Sequence, residues 1–324
     1  MKIVLKGIHA AANEAVLRRK LALAADIVAC DGSEPAGALA EALAEAEVAV
    51  AMNWRAPLPP VPRLKLLQLP GAGTDGVDLA LVPEGAELCN VYGHEIGISE
   101  YVMLAMLEWQ IRLGEMNAAF KAGSWRHSLI RIGPAHGEVA AKTVGLVGYG
   151  HIGRAVAARA KAFAMRVVAI TRTPPGDDAA LDAAYPAERL ADALGECDFV
   201  VLACPLTEHT RGLIDAAALA AMKPQAVLIN VARGRVVDED ALYRALRDRR
   251  IGGAVLDVWY SYPKADGPDV APSRQPFHEL DNVIMTPHAS GWTEGLIERR
   301  WTVIADNIGR LADGRPLHNR IARP

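Results

Sequence analysis

The sequence predicts an α/β protein made of two doubly wound parallel sheets. Short, wholly apolar runs alternate with Ala-rich amphipathic stretches along most of the chain, the pattern of buried parallel strands with helices on both faces. One such run, Thr143-Val-Gly-Leu-Val147, leads straight into Gly148-Tyr-Gly-His-Ile-Gly153, whose glycines have G-x-G-x-x-G spacing. That spacing between a strand and a helix is the pattern of a dinucleotide turn. Earlier in the chain Gly71-Ala-Gly73 follows another apolar run ending at Leu69, where a ligand meets the carboxyl edge of a parallel sheet.

Length and composition agree with two domains. The chain has 324 residues, 51% of them hydrophobic, enough for two cores of ordinary size. A formal net charge of −3 gives no global attraction to nucleic acid or to an anionic membrane. The basic run Arg244 to Arg250 is interleaved with Ala245, Leu246 and Asp248, so it reads as the wet face of a helix. Cys30, Cys89, Cys197 and Cys204 lack metal-ligand spacing. They read as reduced core residues of a cytoplasmic protein, with no metal expected. The start, Met1-Lys-Ile-Val-Leu-Lys-Gly7, is too short and interrupted for a signal peptide, and no apolar run is long enough to span a bilayer.

In chain order, Ile3 to Leu5, Ile27 to Ala29, Val48 to Met52, Leu64 to Leu69 and Glu87 to Val91 read as strands, with helices at Asn13 to Ala24 and Pro35 to Ala46. A long amphipathic helix is expected from Ser99 to about Ala122, with Ser99 as N-cap and Gly123 as its stop. Tyr101, Val102, Ala105, Met106, Trp109, Leu113, Met116 and Phe120 would form its apolar stripe, buried either within one subunit or in a dimer. Val144 to Val147 is the strand entering the glycine turn, and Arg154 to Met165 the helix leaving it. Further strands are expected at Arg166 to Thr171, Asp198 to Ala203, Ala226 to Val231, Gly253 to Val258 and Asn282 to Met285, then a helix from Thr293 to Leu311. The tail after Pro287 is too short for a domain and should pack back on the first one.

Each glycine of the turn has its own task. Gly148 permits the tight bend, Gly150 lets backbone approach a pyrophosphate, and Gly153 allows close helix packing. The phosphates would rest on unpaired N–H groups of Tyr149, His151 and Ile152 at the helix start.

Six stretches, in order, then resemble the D-isomer-specific 2-hydroxyacid dehydrogenases. They are Gly71-Ala-Gly-Thr-Asp-Gly-Val-Asp78, the glycine turn, Cys204-Pro-Leu-Thr-Glu-His-Thr210, Leu228-Ile-Asn-Val-Ala-Arg-Gly-Arg-Val-Val-Asp238, Leu256-Asp-Val258 and Met285-Thr-Pro-His-Ala-Ser-Gly291. The resemblance implies a Rossmann-like cofactor domain of residues 99–290 inserted in a flavodoxin-like substrate domain of residues 1–98 and 291–324, with the active site in the cleft between them. It also implies a homodimer through the cofactor domains and hydride transfer between NAD(P)H and a small 2-oxo acid such as glyoxylate or hydroxypyruvate. Arg233 matches the substrate-binding arginine, whose fork suits a carboxylate and a carbonyl oxygen together. His288 matches the acid/base histidine. Asp257 matches the acceptor for the nicotinamide amide, with a turn role after its strand as the alternative. Backbone N–H groups of Ala72, Gly73 and Thr74 would cradle an anion, and Asn53, Trp54, Trp125 and Trp292 are pocket or core candidates. Cys204, Pro205, Thr210, Val231, Ala232 and Gly291 fall in the loops expected beside the cofactor.

Two departures stand out. Family members usually carry a glutamate five residues after the aspartate, bonded to the histidine; here Tyr262 holds that position. A phenol can orient an imidazole but cannot raise its pKa as a carboxylate does, so His288 is expected to titrate low. The second departure lies beyond the turn, where an NAD site usually has an acid about 20 residues on. This chain offers Ile170-Thr-Arg-Thr173, with no acid before Asp177. Arg172, with Thr171 and Thr173, could bind a 2′-phosphate, which favours NADP over NAD. Two other functions stay open on sequence alone: a dinucleotide-sensing protein with weakened catalysis, and a dehydrogenase of phosphite or formate.

Overall fold

The computed structural model describes residues 1–35, 37–263 and 267–322. The chain divides into two compact units, Met1–Gly93 with Thr293–Pro324, and His94–Trp292. The second unit is thus continuous and interrupts the first.

The first unit carries a parallel sheet of β1 (Lys2–Lys6), β2 (Asp26–Cys30), β3 (Val48–Ala51), β4 (Leu66–Gln68) and β5 (Glu87–Cys89) in the order β2-β1-β3-β4-β5. Ile3, Val4, Leu5 and Val48 to Ala51 of its inner strands have no exposed surface, as expected for strands covered on both faces. The expected helices are present but shorter, Glu14–Lys20 and Ala38–Glu45. The helix Glu294–Ala312 belongs to this unit and buries Trp301, Ile304 and Ile308 with Ile3, Leu5 and Leu66. Buried Asn307 ties it to the sheet, donating to Gln68 Oε1 at 2.8 Å and accepting from the His318 N–H at 2.8 Å. No described helix is long and apolar enough to cross a membrane.

The second unit holds seven parallel strands: β6 (Thr143–Val147), β7 (Arg166–Thr171), β8 (Ala183–Pro186), β9 (Phe199–Leu202), β10 (Val227–Asn230), β11 (Gly253–Leu256) and β12 (Val283–Met285). Their order is β12-β11-β10-β9-β6-β7-β8. Strand order therefore reverses between β6 and β9, the switch point where doubly wound sheets bind ligands. β8 is an edge strand that the sequence reading missed, because Ala183-Ala-Tyr-Pro186 has no β-branched residue and no buried face.

The long helix is the main correction. It runs Glu95–Ile111, stops at Arg112 in a left-handed conformation (φ 55°), and a separate helix follows at Leu113–Lys121. Ser99 is not its cap: it lies inside, fully buried, its hydroxyl donating back to the Ile96 carbonyl at 2.8 Å. A serine in mid-helix can satisfy its hydroxyl that way, so its presence does not mark a start. Val102, Met103 and Met106 pack with Val156, Ala157 and Ala160 of the helix His151–Ala162. The arginines of the basic run lie on the open side of helix Glu239–Arg247 and just past it, where Arg247 pairs with Asp248 and Arg249 with Asp281.

Candidate active site

The glycine turn sits between β6 and helix His151–Ala162, at the switch point. Gly148 has φ 99°, and a Cβ there would lie 2.8 Å from the backbone of Ala203 and Cys204. At Gly153 a Cβ would come within 2.4 Å of the Gly148 carbonyl, whereas at Gly150 it would meet nothing within 4 Å. Two glycines are thus demanded by the turn itself, and the middle one leaves its backbone open to an approaching group. This fits a pyrophosphate resting on the helix N–H groups.

Because all seven strands run parallel, the loops that follow them share one edge of the sheet. Thr171 ends β7, with Arg172 and Thr173 just after it; Cys204, Pro205 and Thr210 follow β9; Val231, Ala232 and Arg233 follow β10; Asp257 follows β11; His288 and Gly291 follow β12. Some of these side chains hold their own loops. The Thr210 hydroxyl donates to the Pro205 carbonyl at 2.6 Å. Burial pushes the Cys204 thiol up to about 11. Tyr149 donates to Asp178 Oδ2 at 2.9 Å beneath the Arg154 guanidinium, 4.6 Å from its ring centre, and Arg154 pairs with the same carboxylate at 2.9 Å. Asp178 also accepts from the Ala180 N–H. The acid nearest the end of β7 after Asp177 is therefore committed, while Arg172 is exposed and forms no ion pair with a described residue.

Asn230 and Asp257, both almost wholly buried at the ends of β10 and β11, hold the two candidate catalytic loops. Asn230 donates through Nδ2 to the Arg233 carbonyl at 3.0 Å and accepts the Ala232 N–H at 3.1 Å. Arg233 itself donates through Nη1 to the Ala232 carbonyl at 2.8 Å. The next residue must be glycine, since a Cβ at Gly234 would lie 2.3 Å from the Trp259 carbonyl oxygen. The Asp257 N–H donates to the Asn230 carbonyl at 3.1 Å, joining the two loops. The Asp257 carboxylate accepts from Thr286 Oγ1 at 2.5 Å, the Ala289 N–H at 2.8 Å and the Ser290 N–H at 3.0 Å. With no exposed surface, Asp257 faces the loop carrying His288.

His288 takes a left-handed backbone, φ 58°. Part of the residue is open to solvent, yet its pKa is lowered. Desolvation by the groups packed around the ring is the largest cause; the Asp257 carboxylate opposes it, and the Arg233 charge adds to the lowering. Arg233 follows β10 and His288 follows β12, and because those strands run parallel the two residues share one edge of the sheet. Tyr262 lies beside the imidazole with ring centres 5.6 Å apart and planes tilted by 52°. Its oxygen accepts the Trp259 N–H at 3.0 Å, and no described group hydrogen-bonds the His288 ring. The phenol therefore packs against the imidazole and does not bond it.

In the first unit, Ala72, Gly73 and Thr74 follow β4, and none of their N–H groups donates to a described residue. Asn90 steadies the loop by donating to the Ala72 carbonyl at 2.9 Å. Asn53 is exposed, its carbonyl accepting from Lys6. Trp54 requires a correction: it has no exposed surface, packs in the core with Val61 and Leu67, and donates its indole N–H to Leu81 at 3.1 Å. A ring spent on the core offers a substrate nothing. Trp125 and Trp292 are 46% and 59% exposed.

A glycine turn at a switch point, with a guanidinium and an imidazole on the same edge, defines a dinucleotide-dependent oxidoreductase unit. Comparison with known proteins agrees. Residues 103–290 match the family model described as D-isomer specific 2-hydroxyacid dehydrogenase, NAD binding domain. The chain is 38% identical over 253 residues to a (S)-sulfolactate dehydrogenase of Chromohalobacter salexigens, covering 77% of this chain and 78% of that one. It superposes on a D-isomer specific 2-hydroxyacid dehydrogenase family protein of Aeromonas salmonicida with TM-score 0.83 and 27% identity, over 99% and 98% of the two chains. An NADPH-dependent glyoxylate/hydroxypyruvate reductase of Sinorhizobium meliloti, solved with NADP and sulfate, gives TM-score 0.76 and 25% identity over 98% and 97%. The chain belongs to the D-isomer specific 2-hydroxyacid dehydrogenases, NAD(P)-dependent enzymes.

Proposed function

We propose that the protein reduces small 2-oxo acids to 2-hydroxy acids with NADPH, Arg233 binding the substrate and His288 acting as acid/base. The observation that carries this reading is the paired clamp: Asn230 fixes the Arg233 loop, Asp257 fixes the His288 loop, and a backbone hydrogen bond joins the two. Arg233 holds carboxylate and carbonyl oxygens in its fork and polarises the carbonyl as charge develops on oxygen. When bound, the dihydronicotinamide supplies the hydride that adds to the carbonyl carbon. Protonated His288 gives its proton to the carbonyl oxygen, which closes the balance to the alcohol. In the first unit, the N–H groups of Ala72, Gly73 and Thr74, which donate to no described residue, form a cradle for an anion.

Holding the cofactor falls to the Gly148 to Gly153 turn for the pyrophosphate and to the loops after β9, β10 and β12 for the rest. Asp257, with no exposed surface and three donors already on its carboxylate, serves the cofactor side by holding the loop that follows β12. Arg172 with Thr171 and Thr173 takes the 2′-phosphate, the sequence holding no acid between the end of β7 and Asp177 and the next one, Asp178, being paired with Arg154. A spectrophotometric panel of glyoxylate, hydroxypyruvate and 3-sulfopyruvate with both cofactors tests the reading. NADPH should give the higher kcat/KM, and Arg172→Ala should cut that preference about 10- to 100-fold, the worth of a hydrogen bond to a charged group. A clear NADH preference in the unaltered protein would refute the phosphate pocket. Tyr262 favours a second reading, a dinucleotide sensor with weakened catalysis, because it leaves His288 without a carboxylate partner. Tight NADPH binding with no turnover on the whole panel would support that reading instead.

A homodimer in the cytoplasm completes the proposal. Leu129, Ile130 and Ile132 are 92%, 84% and 91% exposed, with Leu113 and Phe120 at 64% and 58%. Apolar side chains this open, close together in sequence, mark a surface that another protein covers. Sedimentation velocity should show a dimer, and Ile130→Asp should shift it to monomer by burying a charge at the contact.

A further inference from the structure

We propose that Tyr101 is a positioning residue for His288, acting through Thr286 and Asp257; the inference rests on the assignment of His288 as acid/base. Tyr101 lies on helix Glu95–Ile111, far along the chain from the loop it reaches. Its hydroxyl and that of Thr286 are 2.7 Å apart. Thr286 spends its own proton on Asp257 Oδ1 at 2.5 Å, so Tyr101 is the donor of that pair. A proton chain thus runs one way, phenol to hydroxyl to carboxylate, and ends on the group that accepts the Ala289 and Ser290 N–H groups.

Those two amides flank the proposed acid/base. His288 holds φ 58°, a region that side chains with a Cβ enter only when their surroundings enforce it. The enforcement here is visible. On one side the His288 N–H bonds the Thr286 carbonyl at 3.1 Å; on the other the carboxylate draws in the next two amides. The Thr286 carbonyl also accepts the Trp259 indole N–H at 2.8 Å. Thr286 is therefore held at both its carbonyl and its hydroxyl, and the hydroxyl keeps its orientation because Tyr101 fills the acceptor side. Without the phenol, Thr286 can turn, and Asp257 loses a donor that keeps Oδ1 aimed at the loop. Tyr101 is itself packed in, its pKa raised chiefly by burial.

The test uses Tyr101→Phe, Thr286→Val and Thr286→Ser in the full chain. Amide hydrogen exchange at Ala289 and Ser290, read by NMR, should speed up about ten-fold in Tyr101→Phe and Thr286→Val, while amides of β6 and β10 stay as in the unaltered protein. Thr286→Ser, which keeps the hydroxyl, should restore protection. With NADPH and the best 2-oxo acid, kcat should fall about ten-fold in the first two variants with KM for NADPH little changed, the mark of a misplaced acid in an intact cofactor site. Unaltered exchange at Ala289 and Ser290 in Tyr101→Phe overturns the proposal. Faster exchange there, in a protein that turns over no 2-oxo acid at all, overturns instead the acid/base assignment on which it rests.

Discussion

Arg233→Ala is expected to lower kcat/KM for 2-oxo acid reduction by about 10²–10³-fold, the cost of removing one strong donor from a developing oxyanion. The loop should survive the change. Its shape depends on Asn230, which bonds the backbone on both sides of the arginine, and on Gly234 against the Trp259 carbonyl. The Arg233 side chain adds a bond to the Ala232 carbonyl, a contact within its own loop that the Asn230 bonds already hold. Arg233→Lys should recover only part of the loss, because an ammonium is a point charge and cannot hold two oxygens in a planar fork. Steady-state kinetics at saturating NADPH reads both variants, and NADPH binding by fluorescence titration should stay within a few-fold of the unaltered protein. If Arg233→Ala keeps its kcat/KM, the guanidinium does not grip the substrate and the site lies elsewhere.

What the sequence shows most clearly is whatever repeats or is chemically unusual. Largely apolar runs located eleven of the twelve strands among the described residues, and the three glycines marked the switch point. The strand that escaped, β8, is an edge strand with half-buried alanines, where neither alternation nor a buried run exists to be read. Ser99 misled for a related reason: capping and mid-helix back-bonding use the same hydroxyl, and only the preceding turn, Glu95 to Ile98, decides which applies. In the candidate site, charged and titratable groups such as Arg233 and His288 stand out in the sequence because their chemistry is rare. The residues that hold them do not. Asn230, Thr286 and Tyr101 act through backbone groups or through one another, and such roles exist only once β10, β11, β12 and a distant helix are brought together. One faint signal was present in Asn230, an amide closing the apolar run Val227-Leu-Ile, which is a poor place for a polar side chain unless its bonds are made there. Trp54 shows the opposite error, since a large aromatic beside a ligand loop and one in the core look identical in a sequence.

The pH dependence follows from the neighbours of His288. On the proposed role of His288, reduction needs the imidazolium, so its rate falls as pH rises through the His288 pKa, and that pKa is lowered, first by desolvation. The falling limb for reduction should therefore lie below the ordinary histidine value of about 6.5, while oxidation of the hydroxy acid, which needs neutral imidazole, should persist to correspondingly lower pH. Tyr262→Glu puts a carboxylate where a phenol ring now stands 5.6 Å from the imidazole. An opposite charge at that range favours the protonated form, and the limb should move up by about 1–3 units. Tyr262→Phe provides the control. The phenol oxygen serves the Trp259 N–H and not the histidine, so losing it should leave the limb in place, with a loss of stability near 1 kcal/mol for the orphaned amide. Profiles of kcat/KM against pH for the three proteins decide between a neighbour that merely packs and one that sets the charge. If Tyr262→Glu moves the limb no further than Tyr262→Phe, the group titrating in catalysis is not His288.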